Sequence, residues 1–566
     1  MRWTLKPLPT LDKVSSLAKK LSIDTNLATL LVQRNIETFE EAKSFFRPDL
    51  SRLHDPFLMQ DMQKAVDRIE KAIANDENIL VFGDYDVDGT TAVSLMSSYL
   101  KTYYPNVATY IPDRYQEGYG ISYKGIDFAE DNNFSLIIAL DCGVKAIDKV
   151  DYANNKNIDF IICDHHRPGN ELPKAAAVLD PKREDCNYPF DELCGCGVGF
   201  KLVQALASRR NQTIDDLMPY LDLLATAIAA DIVPMNGENR ILAYYGLERI
   251  NTNPRSGIRA MTHQLKKEVL TITDVVFVIA PRINAAGRMK HGNYAVELLC
   301  EEDFETAQTM AADIEVFNND RRDLDKLITI EALQQIEENN ETEDFSSVVY
   351  QEDWHKGVIG IVASRLIENY YRPTLVFTKS GDKLAASARS VSGFDVYNAL
   401  EACSEFIEQF GGHKYAAGLT LSQENYKNFK DKFEEVVKNS IPPELLQPEI
   451  KIDLELELSA VTPKFYRILQ QFAPCGPLNM SPVFMSKNVK DTGYSRKVGA
   501  DEDHLKLSIV SEDGTKFNGI GFNLGKKHAE ISNGLPFDIV YTIGENTWNG
   551  NTSLQLIVKD VRSSLL

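Results

Sequence analysis

Cysteine is scarce: eight in 566 residues, and only Cys194-Gly-Cys196 lie close together. With no second pair, no zinc pattern is complete, and Cys142 and Cys163 stand in apolar surroundings, so the expectation is a reduced, cytoplasmic protein. Long apolar runs are also missing. Leu136–Leu140 is typical of what exists, well short of the ~18 residues a membrane span needs, and Met1-Arg-Trp-Thr-Leu-Lys-Pro lacks the hydrophobic core of a signal peptide. No membrane partner is expected. Internal repeats and low-complexity segments are absent too, and with 43% hydrophobic and 25% charged residues wholesale disorder is excluded.

Positive charge is in deficit, 61 Lys+Arg against 82 Asp+Glu, a net −21. The distribution is uneven. Residues 296–345 hold sixteen acids and three bases, whereas 254–290 hold seven bases and two acids. Residues 1–20 and 372–390 are also basic. Local potential, not the total, decides what a groove attracts, so a polyanionic substrate stays open.

The length suggests three or four domains. Residues 1–75 read as a mainly helical N-terminal extension. Over 76–250 the apolar runs Ile79–Phe82, Val107–Ile111, Leu136–Leu140, Phe160–Cys163 and Ala176–Leu179 alternate with helical stretches, which predicts a parallel sheet covered on both faces. Residues 251–345 read as a helical linker. A smaller α/β domain follows over 346–445, with strands Ser347–Tyr350, Thr374–Thr378 and Leu384–Ala388 and a helix Val358–Tyr370. Pro442-Pro443 marks the next boundary. Residues 446–566 are β-rich: Ile452–Leu458 alternates strictly, and Asp513-Gly514 and Asn549-Gly550 read as hairpin turns. That suits a small barrel of the OB type.

The informative feature is where the carboxylates fall. The first run leads into Gly83-Asp84-Tyr85-Asp86-Val87-Asp88-Gly89, the third ends at Asp141, the fourth at Asp164-His165-His166, and a helix ends at Asp231. Ligands of open parallel sheets bind outside the carboxyl ends of the strands. Crowded carboxylates take up protons unless cations neutralise them. Oxygen and imidazole donors without thiolate suit manganese or magnesium, and five or more donors are enough for two ions set to hydrolyse phosphate esters. Each motif alone has an ordinary reading, as a turn, a helix cap or a surface pair. Their joint placement at element ends favours a metal site.

These four motifs resemble those of the DHH phosphoesterases. Arg114-Tyr-Gln-Glu-Gly-Tyr-Gly120, Arg282-Ile-Asn-Ala-Ala-Gly-Arg288, Trp354-His-Lys-Gly-Val-Ile-Gly360, Ser387-Ala-Arg389 and Gly411-Gly-His-Lys-Tyr-Ala-Ala-Gly418 narrow the resemblance to RecJ-type single-stranded-DNA exonucleases. It covers roughly residues 75–560. It implies a parallel-sheet DHH domain, a DHH-associated domain and an OB-fold, with 5′→3′ digestion of single-stranded DNA to 5′-mononucleotides in recombination and repair. The cofactors implied are two divalent cations, manganese preferred and magnesium possible; the partners are a free 5′ DNA end, a helicase and a single-strand-binding protein. By position, Asp86, Asp88, Asp141, His165 and Asp231 are the implied metal ligands, with Asp141 as the bridge. Asp84, Asp164 and His166 are the further catalytic residues, Asp164 orienting the histidines and His166 touching the scissile phosphate. Related small-substrate members carry a ligand histidine where this chain has Phe82.

Arg114, Arg282, Asn284, Arg288, His355, Ser387, Arg389, Gly411, Gly412 and His413 are the candidates for holding the strand, since guanidinium forks match phosphate geometry. An ordinary reading of Arg282 and Arg288 is as ion-pair partners of the linker. Tyr119 and Trp548 are candidates for stacking on bases. The family's Pro-x-Gly-x-Gly-Asn-Pro segment appears here as Ala473-Pro-Cys-Gly-Pro-Leu-Asn-Met-Ser-Pro482, which puts strand contacts by that loop in question. Two other functions fit part of the pattern: a phosphodiesterase for short oligonucleotides or cyclic dinucleotides, which usually lacks the N-terminal extension and the OB region, and a non-catalytic DNA-binding protein, which has no use for crowded carboxylates.

Overall fold

Strands buried on both faces must be apolar along their whole length. Five such segments form the first sheet: β1 (Asn78–Gly83), β2 (Val107–Tyr110), β3 (Phe134–Leu140), β4 (Asp159–Cys163) and β5 (Ala177–Leu179). The computed structural model, which describes residues 1–548 and 550–564, orders them β2-β1-β3-β4-β5, all parallel. One face packs Leu80, Phe82, Ile137, Ala139, Phe160 and Ile162 on Ile126, Val150 and Ala153. Helices α1 (Val87–Lys101), α2 (Gly195–Arg209) and α3 (Leu221–Ala230) pack on one another.

Register places the site. Gly83 pairs with Leu140, Leu140 with Cys163 and Cys163 with Leu179. Asp84, Asp141, Asp164 and Asp180 therefore each stand one residue beyond a matched strand end, a row of four acids along the carboxyl edge.

The linker contains helix α4 (Phe304–Glu338), 35 residues long. Ile328, Ala332 and Ile336 on its C-terminal half pack against Val362, Ala363 and Leu366 of α5 (Ile359–Asn369). Beneath α5 lies a mixed sheet of β6 (Ser347–Tyr350), β7 (Thr374–Ser380), β8 (Lys383–Arg389), β9 (Gln409–His413) and β10 (Ala416–Leu421), in the order β9-β10-β8-β7-β6. Only β6 and β7 are parallel.

The chain forms two compact units, one of residues 55–231 and 246–448, the other of 2–54, 232–245 and 449–566. The sequence reading sets 1–75 apart as a mainly helical extension. Instead, Arg2–Leu5 is a strand paired in parallel with Glu449–Ile452, and Leu17, Leu27, Leu30 and Leu31 share a core with Phe484, Leu505, Tyr541 and Val561. The reason is visible in the helix Thr25–Val32: five of its eight residues are buried apolar ones, so it needs a partner surface.

The C-terminal sheet has seven strands. Phe484–Asp491 pairs with both Phe537–Trp548 and His504–Val510, which closes it on itself. Of the alternating stretch 452–458, Leu454, Leu456 and Leu458 are buried as expected, but regular pairing is confined to Glu449–Ile452 and Leu454–Glu455. The Asp513-Gly514 turn joins His504–Val510 to Lys516–Gly521. Asn549 and the Trp548 side chain lie outside the described residues. The divergent 473–482 loop is tied down within its own unit: the buried Arg240 guanidinium donates to the carbonyls of Gln471, Phe472, Ala473 and Pro474. Among the described residues no helix is long and apolar enough to cross a membrane.

Candidate metal centre

The first acidic motif is both turn and helix start. Asp86 caps α1, its Oδ1 accepting from the Gly89 amide at 3.1 Å. Asp88, buried in the first turn of the same helix, accepts the amides of Gly195 at 2.6 Å and Cys196 at 2.8 Å, and so caps α2 as well. The partial positive charge of a helix N-terminus helps hold an anion there. Asp84 is fully buried; its Oδ1 accepts the Gly120 amide at 3.3 Å and its Oδ2 accepts nothing.

Asp141 adopts a left-handed backbone, φ 60°, one of the few conformations in which Asp and Asn outdo other side chains. Its side chain presses on Gly195, where a Cβ would stand 2.5 Å from both Asp141 Cβ and Oδ1. Glycine is thus required at 195.

Asp164 is a hub. Its Oδ1 accepts the His165 and His166 amides at 2.8 and 3.1 Å and lies 2.7 Å from His166 Nδ1, while Oδ2 accepts the Val144 amide at 2.9 Å. It orients the ring of His166; for His165 it orients the backbone only. His165 Nε2 instead faces Asp141 Oδ1 at 3.3 Å, Asp231 Oδ2 at 3.7 Å and Asp88 Oδ2 at 3.8 Å.

Two sets of donor atoms lie within 4.8 Å of one another: Asp141, His165 and His166, and Asp88, His165 and Asp231. His165 is common to both sets, and Asp141, the bridge that the resemblance implies, lies 3.3 Å from it. Asp86, with one oxygen engaged as a cap, joins neither set, though its charge acts on Asp84, Asp88, Asp141 and Asp231.

The electrostatics test whether cations belong here. Burial, then neighbouring carboxylates, pushes the Asp84 and Asp141 carboxyls well above the usual range. Burial also raises Asp88, against the opposing pull of His165, and raises Asp231 to about 8. Asp141 Oδ1 and His165 Nδ1, both buried, make no hydrogen bond. A protein gains nothing from such a cluster without countercharge. The donor set, carboxylate and imidazole with no thiolate, fits hard divalent cations. Burial lowers the pKa of His165, leaving its ring neutral and able to donate a lone pair. Burial also opposes charge on His166, but Asp164 prevails and raises it.

The phosphate-holding candidates separate into groups. Arg114 lies over the Tyr85 ring at 4.5 Å. Arg288 donates to the Gly357 carbonyl at 2.8 Å, and its pKa falls to about 9 through burial and then the charges of Arg114, Arg389 and Arg321. Arg389 donates to Ser387 Oγ at 3.0 Å and is depressed by burial and Arg114. His355 meets Tyr115 edge-on at 6.1 Å, and Tyr115 donates to the Arg288 carbonyl. Guanidiniums gathered at the cost of mutual repulsion have the chemistry to receive an anion. Arg321, on α4, adds its charge to this group, but its guanidinium is engaged by Asp325 at 3.0 Å and Asn318 at 2.7 Å.

Arg282 stands apart, paired with Glu315 of α4 at 2.6 Å. Asn284 is half-buried one turn before Arg288 on the helix Ala280–Met289. Gly411, Gly412 and His413 lie exposed at the edge strand β9. Gly412 has φ +146°, and a Cβ there would stand 2.4 Å from the Ala416 carbonyl. Gly411 lines a hollow of about 420 Å³ with Gly418, Gln409, Phe410, Lys356 and Tyr119. The Tyr119 hydroxyl is 3.3 Å from His166 Nε2.

Asp180 escaped the sequence reading. It is fully buried, its Oδ1 accepting the Lys182 amide at 2.8 Å while Oδ2 has no partner. The strand-end rule that finds Asp141 and Asp164 applies equally to it.

Comparison with known proteins accounts for this arrangement. Residues 78–228 match the DHH family N-terminal domain, 345–439 the DHHA1 domain and 452–560 the RecJ OB domain. The single-stranded-DNA-specific exonuclease RecJ of Bacillus subtilis is 36% identical, over 100% of this chain and 71% of that protein. Its counterpart in Escherichia coli is 32% identical, over 89% and 90%. The crystal structure of RecJ from Thermus thermophilus in complex with Mn²⁺ superposes with a TM-score of 0.85 at 25% identity, covering 99% of this chain and 79% of that one. A Mg²⁺ complex of the same protein is also similar, with a TM-score of 0.79. The chain belongs to the RecJ family of single-stranded-DNA-specific exonucleases, a branch of the DHH proteins.

Proposed function

We propose that this protein is a divalent-metal-dependent exonuclease that removes 5′-mononucleotides from the 5′ end of single-stranded DNA. The observation that carries the reading is the pairing, within one compact unit, of an acid–imidazole cage with a guanidinium cluster. One suits cations and the other a terminal phosphate. The cage has donors for two ions, and the solved relatives with Mn²⁺ and Mg²⁺ support manganese with magnesium as substitute.

Asp88, Asp141, His165 and Asp231 would hold the cations, with Asp86 and Asp84 adding negative charge close by. When bound, the cations polarise the phosphodiester and make a water nucleophilic at neutral pH. Asp164 favours the protonated form of His166, whose Nε2 can donate to a phosphate oxygen as charge develops there. Arg114, Arg288 and Arg389, with Ser387, anchor the 5′ phosphate. An enzyme that accepts only single strands needs duplex opened for it, which supports a helicase and a single-strand-binding protein as working partners in cytoplasmic recombination and repair.

The test is digestion of end-labelled single- and double-stranded oligonucleotides with manganese. Mononucleotides released from the 5′ end of single strands alone are expected. Release from the 3′ end, or equal attack on blunt duplex, would defeat the reading.

A further inference from the structure

Sheet order gives the carboxyl edge a direction. Arg114 follows β2 at one border of the sheet, and Asp180-Pro181-Lys182 follows β5 at the other. Asp84, and the cage residues Asp141 and His165, stand between them, after β1, β3 and β4. At ~4.8 Å per strand spacing, the two borders are roughly 19 Å apart. That is room for a strand to cross the cage from one border to the other.

The β5 border has its own cations. Lys182 is half-buried and its amide is fixed by the buried Asp180. Lys145 lies in the loop after Asp141, and its stem passes over the loop after His166, with Cγ 4.0 Å from the ideal Cβ position of Gly169. Neither ammonium forms a salt bridge among the described residues, although acids outnumber bases along the chain. The charges of both act on His413 of β9, whose imidazole is depressed by burial and then by His166 and these two lysines. Lys182 also acts on the carboxyls of Asp180 and Asp231, and two lysines free of salt bridges at this border of a protein of net −21 suit a polyanion.

We propose that Lys182 and Lys145 bind the backbone phosphates on the 3′ side of the scissile bond, opposite the guanidinium anchor for the 5′ end. This deepens the exonuclease reading and rests on it. The strand then runs along the row of aspartates from the β2 border to the β5 border, and the edge strand with Gly411–His413 faces it where it leaves the cage.

The experiment measures binding of a 20-nucleotide single strand, without divalent metal, against salt. For the Lys145→Ala/Lys182→Ala double variant, affinity should fall roughly tenfold near physiological salt, and the salt slope should flatten by about 1.4, or ~0.7 per lost contact. The preference for 5′-phosphate over 5′-hydroxyl ends should stay as in the unmodified protein. Lys182→Gln, which preserves the stem, should flatten the slope by about half as much. An unaltered slope in both variants would overturn the proposal, as would a lost 5′-phosphate preference, which would move the lysines to the other end of the strand. An unmodified protein that binds single strands but leaves them undigested with manganese would defeat the underlying reading separately.

Discussion

At the scale of single residues, Asp141 combines two demands, a charge aimed at the cage and a left-handed backbone. Asp141→Ala removes the first and adds about 1 kcal/mol of strain at the second. It should abolish hydrolysis while anisotropy still reports single-strand binding. Asp141→Asn keeps the backbone preference, so it should lose activity with less loss of stability. The raised carboxyls make a further prediction. Folded without metal, Asp84, Asp88, Asp141 and Asp231 hold protons at a pH where free carboxylates do not. Cation binding must release them, so metal affinity should rise between pH 6 and pH 8, by roughly tenfold per unit for each proton released. Calorimetry in buffers of different ionisation enthalpy checks this; binding heats independent of the buffer would contradict it. Arg389→Ala, which removes one guanidinium from the anchor, should weaken the preference for 5′-phosphorylated ends about tenfold or more, read from competition between the two end types.

At the scale of elements, the N-terminus of α2 supports the cage from behind, through amides to Asp88 and a bare Gly195 against Asp141. Gly195→Ala places a methyl group where Asp141 already is. We expect about 2 kcal/mol of destabilisation, typical of overpacking, together with weakened Mn²⁺ binding; a variant with native metal affinity would show that the helix end can shift freely. Asp61, which precedes the helix Met62–Ala74, is tied to Arg183 beyond β5 at 2.8 Å. Burial alone would raise this carboxyl, but Arg183 and Lys64 with the Val178 amide hold it below its ordinary value. A depressed carboxyl stabilises the fold above roughly pH 4 and loses that contribution as pH falls through the folded value. Asp61→Asn should therefore destabilise the protein at pH 7, and the difference should shrink by about pH 3 in denaturant titrations.

Elements also show what could be read without coordinates. The five runs of the first sheet are legible because a doubly covered strand has to be apolar throughout, and Asp141 and Asp164 follow from where those runs stop. Asp180 follows the same rule and was overlooked because its run is short and no histidine accompanies it. Arg2–Leu5 was illegible for a different reason: four residues carry no periodicity, and their partner strand lies 447 residues away. The gathering of Arg114, Arg288 and Arg389 depends on packing between separate elements, so spacing alone could not reveal it; only the resemblance did.

At the scale of the whole molecule, the surplus of acid does not contradict a nucleic-acid substrate. Sixteen of the 82 acids fall within 296–345, most of which is α4, while the cage converts its own carboxylates to cation sites once loaded. Single-strand affinity should accordingly fall with salt, with a log–log slope of about −0.7 per phosphate contact. An affinity indifferent to salt would leave the cationic borders of the sheet without a role.

The parallel pairing of Arg2–Leu5 with Glu449–Ile452 has a consequence for biosynthesis. Helices at the head of the chain emerge from the ribosome hundreds of residues before the barrel that covers them. At translation speeds of about 5–20 residues per second, Leu27, Leu30 and Leu31 wait tens of seconds with their greasy sides bare. A pause or truncation upstream of residue 449 therefore leaves those apolar side chains without the core that buries them.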